Sequence, residues 1–202
     1  MRAVVNWFFC CFLFMAIGHA QNNQLQNFNT KEGLPQSQVY DIAQDSIGYL
    51  WLATQGGGLA RFDGDEFTVF NKKKGLQSNF VNTILVYGDT LFIGTYGGLS
   101  IYHKGKFSNF KSPRVNKVRA INGLIYIATN KGIYQYQNNG LTPINISPQI
   151  NVHLVQDLIK HKDHYLIATP NGLWQVNSLN NPSQSIKIDN ANFSSLHPWQ
   201  GK

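Results

Sequence analysis

Four copies of one pattern decide the fold: Leu50-Trp51-Leu52-Ala53-Thr54, Leu91-Phe92-Ile93-Gly94-Thr95, Ile125-Tyr126-Ile127-Ala128-Thr129 and Tyr165-Leu166-Ile167-Ala168-Thr169. Each is followed within a few residues by a glycine and an apolar residue: Gly58-Leu59, Gly98-Leu99, Gly132-Ile133 and Gly172-Leu173. The glycines recur at intervals of 40, 34 and 40 residues. Periods of about 20–50 residues belong to solenoids, propellers and arrays.

Outward from each copy, one period reads as four short strands. In the first repeat they fall at residues 39–45, 49–54, 59–62 and 66–71, separated by Ser46-Ile47-Gly48, the Gly56-Gly57-Gly58 run and Asp63-Gly64. Asp-Gly and glycine runs are hairpin chemistry, because glycine, asparagine and aspartate reach positive φ at low cost. The second repeat gives 81–87, 90–95, 99–103 and 106–110, and the third gives 115–121, 124–129, 133–137 and 141–146. The fourth gives 152–159, 164–169, 173–177 and 185–189. No window sustains a 3.6-residue period, so helical repeats fail. The expectation is an all-β chain of about four four-stranded antiparallel propeller blades, with repeats at 33–74, 75–114, 115–146 and 147–190.

Alternation in the second strand of each repeat places Trp51, Phe92, Tyr126 and Leu166 on one side with Ala53, Gly94, Ala128 and Ala168. Leu52, Ile93, Ile127 and Ile167 point the other way. A large and a small residue at fixed spacing on one face suit stacked sheets, so these aromatics read as core rather than as a ligand platform.

Composition agrees. The 202 residues are 43% apolar and only 13% charged, with 18 glycines, which fits turn-rich β structure. The net charge of +7 is dispersed, its longest block being Lys72-Lys73-Lys74. It permits anionic partners without specifying one, and nucleic acid is not among the expectations.

Residues 1–20 stand apart. Arg2 precedes a 14-residue run from Val4 to Ile17 broken only by Asn6, and Gly18-His19-Ala20 supplies small residues for cleavage between Ala20 and Gln21. This is the pattern of a secretory signal peptide. The run is shorter than the roughly 18–20 apolar residues of a membrane span, so none is expected in the mature chain. Cys10 and Cys11, the chain's two cysteines, would leave with the leader. That removes disulfides, thiol catalysis and cysteine-ligated metals from the mature chain.

Motifs for chemistry are sparse. Gly56-Gly57-Gly58 joins two strands, so it is a hairpin and not a phosphate loop. His161-Lys162-Asp163-His164 falls in a turn without a convincing third metal ligand, and Asp63-Gly64-Asp65-Glu66 has incomplete calcium-loop spacing. No nucleophile motif or poised carboxylate pair is evident. The expectation is a non-catalytic chain without a cofactor or bound metal.

Gly33-Leu34-Pro35-Gln36-Ser37-Gln38-Val39, Asp45-Ser46-Ile47-Gly48, the Leu50–Thr54 copy and Arg61-Phe62-Asp63-Gly64 resemble the two-component regulator propeller repeat. Gly75-Leu76-Gln77-Ser78-Asn79 carries the likeness into the second repeat; the third and fourth repeats are looser. The resemblance implies the N-terminal portion of the periplasmic sensor region of a hybrid histidine kinase. That region typically holds seven-bladed propellers, with the rest of the sensor kinase chain as partner and carbohydrate as the ligand class. Four blades would then be an incomplete part of a larger propeller. Residues 21–32 would be a lead-in and residues 191–202 a connection towards a further blade. The outer faces of the first and last blades would be open apolar sheets. A closed four-bladed ring, acting as a stand-alone secreted lectin or carbohydrate-active enzyme, is the alternative. Ring closure needs either a partner for residues 24–28, the strand that could complete the last blade, or a fifth and later blade.

Up-and-down topology gathers the turns between second and third strands at the same end as the connections between blades. Gln55, Tyr96, Asn130 and Asn171 therefore share one end with Lys73. A basic rim bearing asparagine and tyrosine suits an oligosaccharide, although solvated turns need no ligand. These five are the candidate ligand-binding residues.

Overall fold

The computed structural model describes residues 27–146, 150, 154–179 and 185–197. The signal-peptide reading, the Ala20–Gln21 cleavage site and residues 24–26 lie outside these. Among the described residues sixteen strands form four separate four-stranded antiparallel sheets, each in simple sequence order. The first blade comprises β1 (Val39–Gln44), β2 (Leu50–Thr54), β3 (Gly58–Phe62) and β4 (Phe67–Phe70). The second has β5 (Val81–Tyr87), β6 (Thr90–Thr95), β7 (Gly98–His103) and β8 (Lys106–Lys111). The third has β9 (Val115–Ile121), β10 (Leu124–Thr129), β11 (Gly132–Gln137) and β12 (Gly140–Ile144). The fourth has β13 (Asp157–His161), β14 (His164–Thr169), β15 (Gly172–Val176) and β16 (Ser185–Asp189). One expected strand differs materially: that at 152–159 is β13, which starts at Asp157 and runs to His161.

The repeated threonine and glycine have one physical explanation. Thr54, Thr95, Thr129 and Thr169 are buried, and each hydroxyl donates to the carbonyl of the glycine that opens the next strand, at 2.7–2.9 Å. Those glycines, Gly58, Gly98, Gly132 and Gly172, have φ of +95°, +127°, +105° and +133°. A Cβ on Gly58, Gly98 or Gly172 would collide with the carbonyl oxygen of Phe70, Phe110 or Asp189 on the outer strand. Glycine is thus required both by backbone conformation and by space.

The first strands line up along the inside of the array, β1 on β5, β5 on β9 and β9 on β13. Between blades, Trp51 joins Ile93 in one buried cluster, Phe92 joins Ile127 in the next, and Tyr126 joins Ile167 in the third. The large residue of one blade therefore meets the branched residue of the following one, as the alternation requires. Trp51, Phe92 and Tyr126 are buried, whereas Leu166 is only partly so.

Polar residues tie the inner strands together. Asp41 of β1 accepts from the Thr83 hydroxyl (2.9 Å), the Ile84 backbone N–H (3.0 Å) and the Lys117 ammonium (3.0 Å). Asp41, Thr83, Lys117 and Asp157 occupy the same register position, opposite Ala53, Gly94, Ala128 and Ala168. Asp157 is fully buried and holds Arg119 of β9 in a bidentate pair at 2.9 and 2.6 Å.

The two ends of the array differ. On the first blade, Tyr40, Ile42 and Leu50 are exposed on the face turned away from the second. Phe28 meets Phe62 and Phe67 edge-on with centroids 4.7 and 6.0 Å away, just as Phe70 meets Tyr102 and Phe107 at 5.5 and 5.8 Å. Phe28 thus relates to the first blade as the outer strand of the first blade relates to the second. On the fourth blade, Phe193 and Leu196 cover Ile159, Leu166, Ala168 and Leu173, and the Leu196 N–H donates to Asp157. Ile186 and Ile188 of its outer strand stay exposed.

Candidate functional site

The connections at one end are joined by a repeated backbone bond. The residue after each buried threonine donates to the residue preceding the inner strand: Gln55 to Gln38, Tyr96 to Phe80 and Asn130 to Arg114, at 3.0–3.1 Å. In the fourth blade that position is Pro170, which has no N–H, and there the Gln156 N–H donates instead to the Ala168 carbonyl. Asn171 follows, exposed in the β14–β15 turn.

This bond organises an aromatic shelf. Gln55 forms a β-bridge with Phe80, and the Phe80 ring lies 3.5 Å from where a Cβ of Gly56 would be. Phe80 stacks on Tyr96 with centroids 5.1 Å apart and planes inclined by 27°. The Arg114 guanidinium sits 4.0 Å over the other ring centroid, that of Tyr96. Phe80 and Tyr96 are 43% and 36% exposed and Arg114 is exposed beside them, so two aromatic rings and a cation face solvent where the second blade meets the third. Such a surface can stack on the apolar face of a sugar ring while the guanidinium takes a hydroxyl or carboxylate.

Of the five residues expected here, the structure brings Gln55, Tyr96 and Asn130 into this linked set. Lys73 lies apart, in the exposed 3-10 turn Lys72–Lys74 that follows the outer strand β4. Phe80 and Arg114 were not singled out from the sequence. The signal for them is positional: each directly precedes the first strand of a blade.

The remaining polar motifs fall in hairpin turns. Asp63 accepts from the N–H groups of Asp65 and Glu66, each at 3.0 Å. The bond from Glu66, then that from Asp65, holds its carboxyl below the usual carboxylate range. His161 and His164 flank a two-residue hairpin turn in which Lys162 has φ +53°. Burial, with Tyr165 as a second cause, raises the Tyr126 phenol above the ordinary tyrosine value. Among the described residues no three histidine, cysteine or acidic side chains gather as a metal cluster. No helix among them is long and apolar enough to cross a membrane.

Four sequential, face-packed, four-stranded sheets define a β-propeller. The family model of the two component regulator propeller matches residues 33–56, within the first repeat. A 62-residue stretch is 45% identical to a histidine kinase of Formosa agariphila, covering 29% of this chain and 4% of the kinase. The extracellular domain of a hybrid two-component system from B. thetaiotaomicron superposes with a TM-score of 0.71 at 22% identity, over 81% of this chain and 26% of that one. An inactive virginiamycin B lyase from Staphylococcus aureus, crystallised with quinupristin, superposes with a TM-score of 0.58 at 15% identity, over 79% and 57%. The chain therefore spans a small fraction of the histidine kinase and about a quarter of the two-component protein's domain.

Proposed function

We propose that the chain is a non-catalytic, extracytoplasmic ligand-sensing propeller module of a two-component sensor, exported by its leader and reporting to a kinase in the remainder of a longer chain. The repeat match and the likeness to a histidine kinase support this reading. The single observation that carries the binding role is the exposed Phe80–Tyr96–Arg114 shelf, which suits an oligosaccharide better than it suits catalysis. An oligosaccharide packs against the exposed surface of the Phe80–Tyr96 pair, with Gln55 and Asn130 as neighbouring polar groups.

The test is a glycan array probed with the purified chain, followed by calorimetry on the glycans retained. Tyr96→Ala and Phe80→Ala should each weaken binding about tenfold, corresponding to about 1.4 kcal/mol of lost stacking. Retained affinity in both variants, or an array without a retained glycan, overturns the reading.

A further inference from the structure

A cavity lies at the end of the array opposite the aromatic shelf, between the first and second blades. Its volume is about 400 Å³, and Tyr49, Trp51, Arg61, Leu91 and Tyr102 line it, with Lys104 at the β7–β8 turn. This is within the size range of small-molecule sites, which combine apolar walls with a few placed polar groups.

Arg61 is the unusual member. It sits in β3 opposite Trp51 and Thr68. The equivalent positions opposite Phe92, Tyr126 and Leu166 are Ile101, Gln135 and Gln175, all neutral. Packing between blades therefore needs no cation there. The guanidinium lies 4.5 Å over the Tyr49 ring and 5.9 Å from that of Trp51. Its Nη2 makes one long bond, 3.4 Å, to the Thr68 hydroxyl, and its buried Nε has no acceptor among the described residues. Leaving a charged donor desolvated and unpaired is costly, which makes it a point where an anion gains most.

Neighbouring acids do not fill that role. Asp45 also lines the cavity, but its Oδ1 accepts from the N–H groups of Ile47, Gly48 and Tyr49, and its Oδ2 from the Trp51 indole at 2.8 Å. Its lone pairs are committed to the turn. Asp89 stands in the exposed β5–β6 turn at the rim. The ion pairs among the described residues are Asp41–Lys117 and Asp157–Arg119, and neither involves Arg61.

We propose that this cleft binds a small organic carboxylate carried on a six-membered ring, with the carboxylate on Arg61 and the ring against Tyr49 and Tyr102. The site is distinct from the shelf at the other end and does not rest on it.

The test is calorimetric titration of the purified chain with benzoate and with glucuronate, alongside their neutral counterparts benzyl alcohol and glucose. Saturable binding of either carboxylate, at least tenfold tighter than its neutral counterpart, is expected, and which of the two binds identifies the ring as aromatic or saccharide. Arg61→Gln places in β3 the residue that β11 and β15 already carry, so the blade accommodates it. It should weaken carboxylate binding at least tenfold while the melting temperature of the free chain is held or raised. Tyr96→Ala should leave this binding unchanged, which separates failure of this site from failure of the shelf. Absence of saturable binding by both carboxylates, neutral counterparts that bind equally, or an Arg61→Gln chain that binds as tightly as the wild type overturns the proposal.

Discussion

Asp41 offers the sharpest test of how the blades are joined. One of its oxygens, Oδ2, collects donors from the second blade, Thr83 and Ile84, and from the third, Lys117. Replacing it by alanine strands the Ile84 N–H and the Thr83 hydroxyl, each costing about 1 kcal/mol or somewhat more where water does not reach. The Lys117 pair adds little, about 0–1 kcal/mol, because both side chains are a fifth to a quarter exposed and Lys117 regains water. The sum is about 2–4 kcal/mol, which for a chain of this size lowers the melting temperature by roughly 6–12 °C. Asp41→Asn keeps an acceptor oxygen and should cost less than half as much. Urea denaturation and calorimetry of the two variants against the wild type give both numbers. An Asp41→Ala chain within about 0.5 kcal/mol of the wild type would refute the view that this carboxylate couples three blades.

Three further outcomes follow from the same geometry. Gly98→Ala forces a Cβ onto the Phe110 carbonyl at φ +127° and should cost more than about 3 kcal/mol, whereas Gly105→Ala, at φ +80° in open space, should cost about 1–2 kcal/mol; denaturant midpoints decide. Trp51→Ala empties the junction between the first two blades and should cost about 3–5 kcal/mol, while Trp51→Phe, which mainly loses the bond to Asp45, should cost about 1 kcal/mol, measured the same way. Because burial raises the Tyr126 phenol, its contribution to stability is intact below the ordinary tyrosine value and is lost as pH rises through the raised one. Melting curves on the alkaline side should therefore fall less steeply with pH in Tyr126→Phe.

Most of the strand plan was legible because a period-two pattern and a glycine three or four residues after each repeated threonine are both local signals. Alternation separated the face of Trp51 and its counterparts from that of Ile93 and its counterparts, but their meeting across blades is seen only in the packed structure. The polar inner positions were not legible. Asp41, Thr83, Lys117 and Asp157 share a register position but no chemistry, so nothing in the repeat marks them as partners. One signal was present yet unused: Asn29-Thr30-Lys31-Glu32-Gly33-Leu34 and Asn71-Lys72-Lys73-Lys74-Gly75-Leu76 form the same capped 3-10 turn, with Leu34 and Leu76 buried beneath the first two blades. At the shelf, Tyr96 was visible as an exposed turn aromatic. Phe80 and Arg114 become partners only through the Tyr96 and Asn130 backbone bonds and the packing of adjacent blades. Arg61 looked like part of a repeat motif, and its isolation emerges only when its register is compared with Ile101, Gln135 and Gln175.

Binding without turnover is the central claim, and one experiment addresses it directly. Oligosaccharides retained by the chain are incubated with it at saturation, and the mixture is followed by calorimetry and mass spectrometry. Saturable heat with every oligosaccharide recovered at its original mass is the predicted result. Cleaved or eliminated products that accumulate with time, and that vanish when Tyr96 and Phe80 are both replaced by alanine, would contradict it and make the shelf part of an enzyme.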